Sequence, residues 1–496
     1  MDLLAQRAAT TPDRPAVIDA RTGATRSVSA YSTDVGLVAG GLATAIDPGD
    51  RVAVLAGTSP RTAVVYWAVR RLGGTVVPLN VRLPTAALEA RLDQVDPTLV
   101  VCEARTVETA VESWDGPVRS MDGPATESVD AIRPAQEEVD PAPNSLDDVA
   151  TILFTSGTTG EPKGVKLTVG NLLWSAFGSA MRLGVSATDR WLCCLPMYHT
   201  GGLAPVVRTV VYGTTLVVQR EFDADGTAEA IEDHDITGVS LVPTMLRRLL
   251  DVGWQLPRTL ETVLLGGAPA TQGLLREALE VDVPVYPTYG MTETASQIAT
   301  ARPSELEETP TTVGRPLLPT TVTVVDDGEP TETGDIGELV VAGPTVTPGY
   351  LDPDRTTEAM TVHGLRTGDV GRVDEEGRLF VHGRVDDLIT TGGETVAPAT
   401  VGEALKGHPS VAEAAVVGVS DREWGELVGA VIVPRDPNGF DLEPVKRHCR
   451  RELAGFEVPR RWAVIDALPR TPSGTVDRGA VREQLRDADD EDSVPD

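Results

Sequence analysis

Arg51-Val-Ala-Val-Leu55, Thr75-Val-Val-Pro-Leu79 and Thr98-Leu-Val-Val-Cys102 are three short β-branched runs, separated by residues 61–72 and 84–94, where apolar side chains recur at helical spacing. Strand, helix and strand again, repeated, predicts a parallel sheet covered by helices. The alternation resumes at residue 150 and continues through runs at 215–218, 238–242, 262–265 and 283–286. Between them, the Pro- and acid-rich residues 115–148 read as a surface excursion. From 321 to 381 the pattern changes to short strands around turn clusters such as Asp326-Asp327-Gly328 and Glu375-Glu376-Gly377, which predicts hairpins and a β-rich subdomain. After Gly383 a mixed pattern follows, with strands expected near 415–419 and 430–433 and a helix near 442–453. The expected class is therefore α/β: a large domain over residues 1–385, a small α+β domain over 386–486, and an acidic tail at 487–496.

The 496 residues carry 74 Asp and Glu against 43 Lys and Arg, a net charge of −31. A field of that sign disfavours nucleic acid and anionic membrane surfaces as partners, so an anionic substrate must meet a local positive site. Only Lys163, Lys166, Lys406 and Lys446 are lysines. Abundant carboxylates with few ammonium groups suit a protein kept soluble in concentrated salt, where self-repulsion is screened. No apolar leader or long uncharged run occurs, and Cys102, Cys193, Cys194 and Cys449 lack paired C-x-x-C spacing. A soluble protein of a reducing cytoplasm is expected, with homo-oligomer formation left open.

Chemistry concentrates in Thr155-Ser156-Gly157-Thr158-Thr159-Gly160-Glu161-Pro162-Lys163-Gly164-Val165, which follows an apolar run and precedes a helical pattern from Asn171. The expected arrangement is strand, loop, helix. Hydroxyls and glycine amides in such a loop converge on phosphate oxygens, and Lys163 adds a point charge. It is not a Walker A loop, because no Gly-Lys-Ser/Thr triplet occurs.

This loop resembles the phosphate-binding signature of the acyl-adenylate-forming enzymes, the superfamily of acyl-CoA synthetases, peptide-synthetase adenylation domains and firefly luciferase. Leu195-Pro-Met-Tyr-His199, Leu264-Leu-Gly-Gly-Ala-Pro269, Tyr286-Pro-Thr-Tyr-Gly-Met-Thr-Glu293, Thr367-Gly-Asp369 and Gly383-Arg-Val-Asp-Asp-Leu-Ile389 resemble the same family in the same order, over essentially the whole chain. The resemblance implies ATP, Mg²⁺ and CoA as cosubstrates and a small C-terminal domain that turns between two half-reactions. A carboxylate first attacks the α-phosphorus of ATP to give acyl-AMP and pyrophosphate; the CoA thiol then displaces AMP.

Residue by residue, the resemblance puts Thr155, Ser156, Gly157, Thr158, Thr159 and Gly160 around phosphates with Lys163, and Gly266, Gly267, Ala268 and Pro269 along the nucleotide. Tyr289 would stack on adenine, Thr292 bond a phosphate oxygen and Glu293 hold Mg²⁺. Asp369 would accept both ribose hydroxyls, as a carboxylate can, with Arg384 donating beside it. His199 and Gly267 would line the acyl pocket, Asp386 would be the hinge, and Gly392 and Gly393 would face the pantetheine arm. Gly290-Met-Thr-Glu-Thr-Ala-Ser-Gln297, Gly314-Arg-Pro316, residues 386–394 and Trp424-Gly-Glu426 look most like the o-succinylbenzoate:CoA ligase branch. Its substrate has two carboxylates and an aryl ring. Ser296 and Gln297 either supply donors to the carboxylate that does not react or support the adenine loop.

One position departs from the family. Its late motif Pro-Arg-Thr-x-x-Gly-Lys stands here as Pro469-Arg-Thr-Pro-Ser-Gly-Thr475, so threonine replaces the adenylation lysine. Either Arg478 or Arg470 supplies the cation, or Lys163 with Mg²⁺ suffices, or adenylation is slow; a retained enzyme with a substitute cation, Arg478 first, is the expectation. The alternatives are another aryl- or fatty-acid CoA ligase, a non-catalytic nucleotide-binding protein, and a unit that loads a separate carrier.

Overall fold

The computed structural model describes residues 2–122, 129–156, 162–470 and 476–487. They form two compact units. One comprises Met1–Ala270, Leu274–Val322 and Val341–Leu365; the other comprises Thr271–Gly273, Thr323–Val340 and Arg366–Asp496.

Two sheets make the first unit. In one, Thr75–Pro78, Arg51–Leu55 and Leu99–Cys102 are neighbouring parallel strands, with Val149–Ser156 beside them. In the other, Val285–Met291, Thr262–Leu265, Gly238–Leu241, Arg190–Cys193, Thr215–Val218 and Pro15–Asp19 lie parallel in that order. Both faces of each sheet are covered. Val52, Val54, Val76 and Val101 share one core with Val17, Leu216 and Val218 of the other sheet, while Ala53, Leu55, Val77 and Val100 face a separate cluster with Leu88 and Leu92. Burial on both sides is why these strands read as unbroken β-branched runs, each fully buried Val or Leu contributing about 2 kcal/mol. The helices start where their sequences say. Ser59 accepts from the Thr62 amide at 3.0 Å ahead of Pro60, and Thr168 and Asn171 cap Val169–Leu183 reciprocally.

The expected surface excursion contributes short edge strands, Val118–Ser120 and Asp130–Ala131, to the first sheet. The expected strand-loop-helix around Lys163 is corrected. Pro162–Thr168 runs back antiparallel to Val149–Ser156, and the helix begins only at Val169, so Lys163 lies on a return strand and not at a helix N-terminus. Alternating apolar Val165 and Leu167, both buried, hold this return strand in the core.

The second unit contains residues 366–373 of the strand Gly364–Val373, paired with Leu379–Arg384, then a sheet in which Gly425–Pro434 lies between Ile389–Thr391 and Val411–Asp421 and also carries Arg461–Val464 in parallel. Pro398–Lys406 and Leu442–Glu452 share one hydrophobic cluster with this sheet. On its other face Val481 and Leu485 of Arg478–Asp487 pack with Val417, Val419 and Val431. Compactness does not divide at 385/386: Thr323–Val340 and residues 366–385 group with the residues that follow them. Among the described residues no helix is long and apolar enough to cross a membrane.

Candidate active site

Four neighbouring parallel strands of the first unit end at the same sheet edge, and three of them hand over to segments singled out in the sequence. Arg190–Cys193 leads to His199, Thr262–Leu265 to Gly266–Pro269, and Val285–Met291 to Thr292 and Glu293, with Gly238–Leu241 between the first two. Carboxyl ends of parallel strands are where open α/β sheets bind ligands, because loops there converge over the strand ends. Gly267 takes φ +79°, and a Cβ on Gly266 would stand 2.7 Å from Thr288 Cγ2, so the loop of Gly266, Gly267, Ala268 and Pro269 needs its glycines to lie close.

The turn after Tyr289 is tight. Gly290 is opposite Gln297 and Met291 opposite Ser296, and a side chain at Gly290 would strike the Ser296 carbonyl. Ala295 at φ +55° and Ser296 at φ +134° are non-glycine residues in left-handed space, the strained backbone that collects at functional sites. This turn holds Thr292 and Glu293 in place. Thr292 Oγ1 lies 3.2 Å from Thr200 Oγ1, and Tyr350 donates its hydroxyl to Glu293 Oε1 at 3.0 Å in a buried contact. Lys163 Nζ stands 5.9 Å from the centre of the Tyr350 ring. Lysine, three hydroxyls and a buried carboxylate are thus gathered from four distant segments. Thr155 is opposite Lys163 and Ser156 opposite Pro162 at the end of the hairpin; Gly157, Thr158, Thr159 and Gly160 lie outside the described residues.

His199 is the N-cap of Thr200–Tyr212, its ring 4.9 Å from that of Tyr198. It keeps an exposed edge, but the protein packed around it and then the Arg82 guanidinium push its pKa below the ordinary imidazole range, so the neutral ring is favoured. Gln297 is 2% exposed. One end of its amide is held by Thr300 Oγ1 at 2.8 Å, and the other, Oε1, has no partner among the described residues. Ser296 is half-buried beside it.

Three partners were not foreseen: Thr200, Tyr350 and Arg208. Arg208 is buried in Thr200–Tyr212, and its Nη2 reaches Ser175 Oγ at 3.3 Å, which in turn donates to the Ala295 carbonyl at 3.0 Å. No carboxylate among the described residues pairs with it, and burial lowers its pKa. The visible signal was a single charge in Leu203-Ala-Pro-Val-Val-Arg-Thr-Val-Val211.

In the second unit, Arg384 Nη1 donates to Asp369 Oδ1 at 3.1 Å and to the Thr367 carbonyl at 2.8 Å. Gly368, at φ +68°, leaves the room: a Cβ there would stand 2.7 Å from Arg384 Nη2. Gly392 takes φ +61°, donates its amide to the Trp424 carbonyl at 2.9 Å, and leaves no room for a Cβ against the indole, over which Arg460 lies at 4.1 Å. Gly393 follows at φ +89°, and Asp386 is exposed. Thr475 lies outside the described residues. Its two expected substitutes are not free cations: Arg478 is paired with Asp387, and Arg470 with Glu413 at 2.5 Å. In so acidic a chain a half-exposed guanidinium readily finds a carboxylate.

Among the described residues no three His, Cys, Asp or Glu side chains cluster as a metal site. Glu293 alone fits a magnesium ion that keeps waters and takes its other oxygens from phosphates.

Residues 4–351 match the model of the AMP-binding enzyme family, and residues 400–475 that of the AMP-binding enzyme C-terminal domain. The 2-succinylbenzoate--CoA ligase of Geobacillus kaustophilus is 39% identical over 94% of both chains, and that of Bacillus licheniformis 37% over 96% of this chain and 98% of its own. Among solved structures, o-succinylbenzoate CoA synthetase (MenE) from Bacillus subtilis in complex with the acyl-adenylate intermediate OSB-AMP superposes with a TM-score of 0.89 at 33% identity, covering 99% of this chain and 98% of that one. The same enzyme with ATP and magnesium ion also gives 0.89, over 98% and 99%. The chain belongs to the AMP-binding enzyme family.

Proposed function

We propose that the protein is an AMP-forming acid-thiol ligase that activates o-succinylbenzoate with ATP and passes the acyl group to CoA, a step of menaquinone biosynthesis. One observation carries the reading: Tyr350 holds the buried Glu293 carboxylate beside Thr292 and Lys163, a set that serves a polyphosphate and its counterion together. Bringing a carboxylate to a phosphorus that already bears negative oxygens is mainly a matter of position and neutralisation. Lys163, Thr292 and Thr200 meet the phosphate oxygens, and Glu293 would hold Mg²⁺, which draws charge from those oxygens when bound. Tyr289 and the loop Gly266–Pro269 take the base. Asp369 takes the ribose hydroxyls, oriented by Arg384.

Arg208 identifies the acid. A buried guanidinium that meets a serine hydroxyl and, among the described residues, no carboxylate is expensive unless a ligand anion completes it. We assign it to the carboxylate of o-succinylbenzoate that does not react, with Ser296 and the open end of Gln297 as polar neighbours. His199, kept neutral, lines the route of the reacting carboxylate without trapping it as an ion pair. For the second step the hinge is Asp386, and Gly392 and Gly393, pinned on Trp424, flank the pantetheine arm.

The adenylation charge that Thr475 cannot supply falls to Lys163 and Mg²⁺ in this reading, since Arg478 and Arg470 are held by carboxylates. The cysteines are free and buried, and burial pushes the Cys194 thiol up to about 12, which suits a reducing cytoplasm. The charge balance suits concentrated salt. Purified protein given ATP, Mg²⁺, CoA and a panel of carboxylates, at low and molar salt, should form AMP and thioester fastest with o-succinylbenzoate. Faster turnover of a monocarboxylate would move it to another aryl- or fatty-acid ligase, and nucleotide binding without pyrophosphate release would make it a non-catalytic binder.

A further inference from the structure

A module swings about a single point only if the chain on both sides of that point is held; slack on either side lets it wander. The second unit ties down both sides of the proposed hinge. On the N-terminal side Arg384, the last residue of Leu379–Arg384, is fixed by Asp369 and the Thr367 carbonyl. On the C-terminal side Asp387 is paired with Arg478, the first residue of Arg478–Asp487. That helix is bound to the sheet Val411–Asp421/Gly425–Pro434 through Val481 and Leu485, so Asp387 is tied to the body of the C-terminal module. Between the two ties, Val385 and Asp386 are exposed, whereas the Asp387 side chain is only 13% exposed.

The surroundings make the second tie conditional on one carboxylate. Partial burial lowers the Arg478 pKa, and Arg482, which donates to the Gly418 carbonyl at 3.3 Å, and Arg384 add to this as like charges. Asp387 is its ion-pair partner, and without it Arg478 would be driven off.

We propose that the Asp387–Arg478 pair, acting against the Arg384–Asp369 pair, confines the hinge to Val385 and Asp386 and so positions the C-terminal module for each half-reaction. Arg478 is then a positioning residue and not the substitute for the family lysine. The proposal rests on the two-step reading above, but its decisive readout does not need turnover. Spin labels at Asp354→Cys and Glu443→Cys, both exposed, report the distance between the two units. In unliganded protein, Asp387→Asn and Arg478→Gln should each broaden that distance distribution, and the double variant should broaden it no further. Thioester formation from preformed adenylate should fall about fivefold in each, non-additively, with partial recovery in Arg478→Lys. Unchanged widths, or a lowered melting temperature with additive rate losses, would overturn the clamp. A wild type that forms no adenylate would instead defeat the functional reading, leaving the distance result to decide the hinge.

Discussion

The candidate site of the first unit and the C-terminal part of the second use positive charge in opposite ways. In the first, Lys163 and Arg208 stand at the site with no carboxylate partner among the described residues. In the second, Arg384, Arg470 and Arg478 each close on an Asp or Glu. An uncompensated cation in a chain of net charge −31 costs stability and is kept only where an anion arrives; a compensated one fastens one piece of chain to another. At the candidate site the cation without a carboxylate is the one proposed to meet substrate; elsewhere Arg71 with Asp2 and Arg182 with Glu305 in the first unit, like Arg478 with Asp387 in the second, hold the protein to itself.

Arg208→Met breaks that contrast most severely. Removing the ligand's counterion should weaken o-succinylbenzoate binding by roughly 10²–10³-fold, with ATP affinity unchanged in calorimetry. The same change removes a buried unpaired charge, so the melting temperature should hold or rise. A large loss of stability would mean that Arg208 serves the fold. Thr475→Lys tests whether the first half-reaction lacks a cation: pyrophosphate exchange should speed up by about 10²-fold, on the scale of one oriented donor. No change would show that the charge is already supplied.

Gly368→Ala sharpens the other side of the comparison. Its φ of +68° and the nearness of Arg384 mean that a methyl group displaces the guanidinium from Asp369. We expect a loss of about 1–2 kcal/mol in stability and a severalfold rise in KM for ATP, with that for the acid unaffected. The smallest effect is in pH dependence. His199 has its folded pKa lowered, so the unfolded chain takes up the proton first, and stability falls as pH drops below about 6.5 towards the folded value. In His199→Asn the decline in urea midpoint from pH 7.5 to 5.5 should be shallower; an unaltered slope would show that this ring contributes nothing to it.

Elements buried on both faces were legible in the sequence. The runs at 51–55, 75–79 and 98–102 are apolar after their first residue because hydrophobic cores cover both sides of the sheet. The return strand Pro162–Thr168 was not, since only Val165 and Leu167 mark its alternation and Lys163 stands on their face, which left only the helix after it visible. Motif residues within single loops were found, and the partners that fix them were not. Tyr350 meets Glu293 across 57 positions, and Arg478 meets Asp387 across 91. Such pairings follow from how strands and helices pack, which local spacing does not encode.

The central claim is that Lys163, Thr292 and Glu293 hold ATP so that an organic acid can be joined to its α-phosphorus. Exchange of labelled pyrophosphate into ATP, with Mg²⁺ and without CoA, tests it most directly. The account predicts exchange that depends on o-succinylbenzoate and collapses in Lys163→Ala and Glu293→Gln. Exchange absent at every salt concentration at which the protein remains folded, or equally fast without the acid, would contradict it.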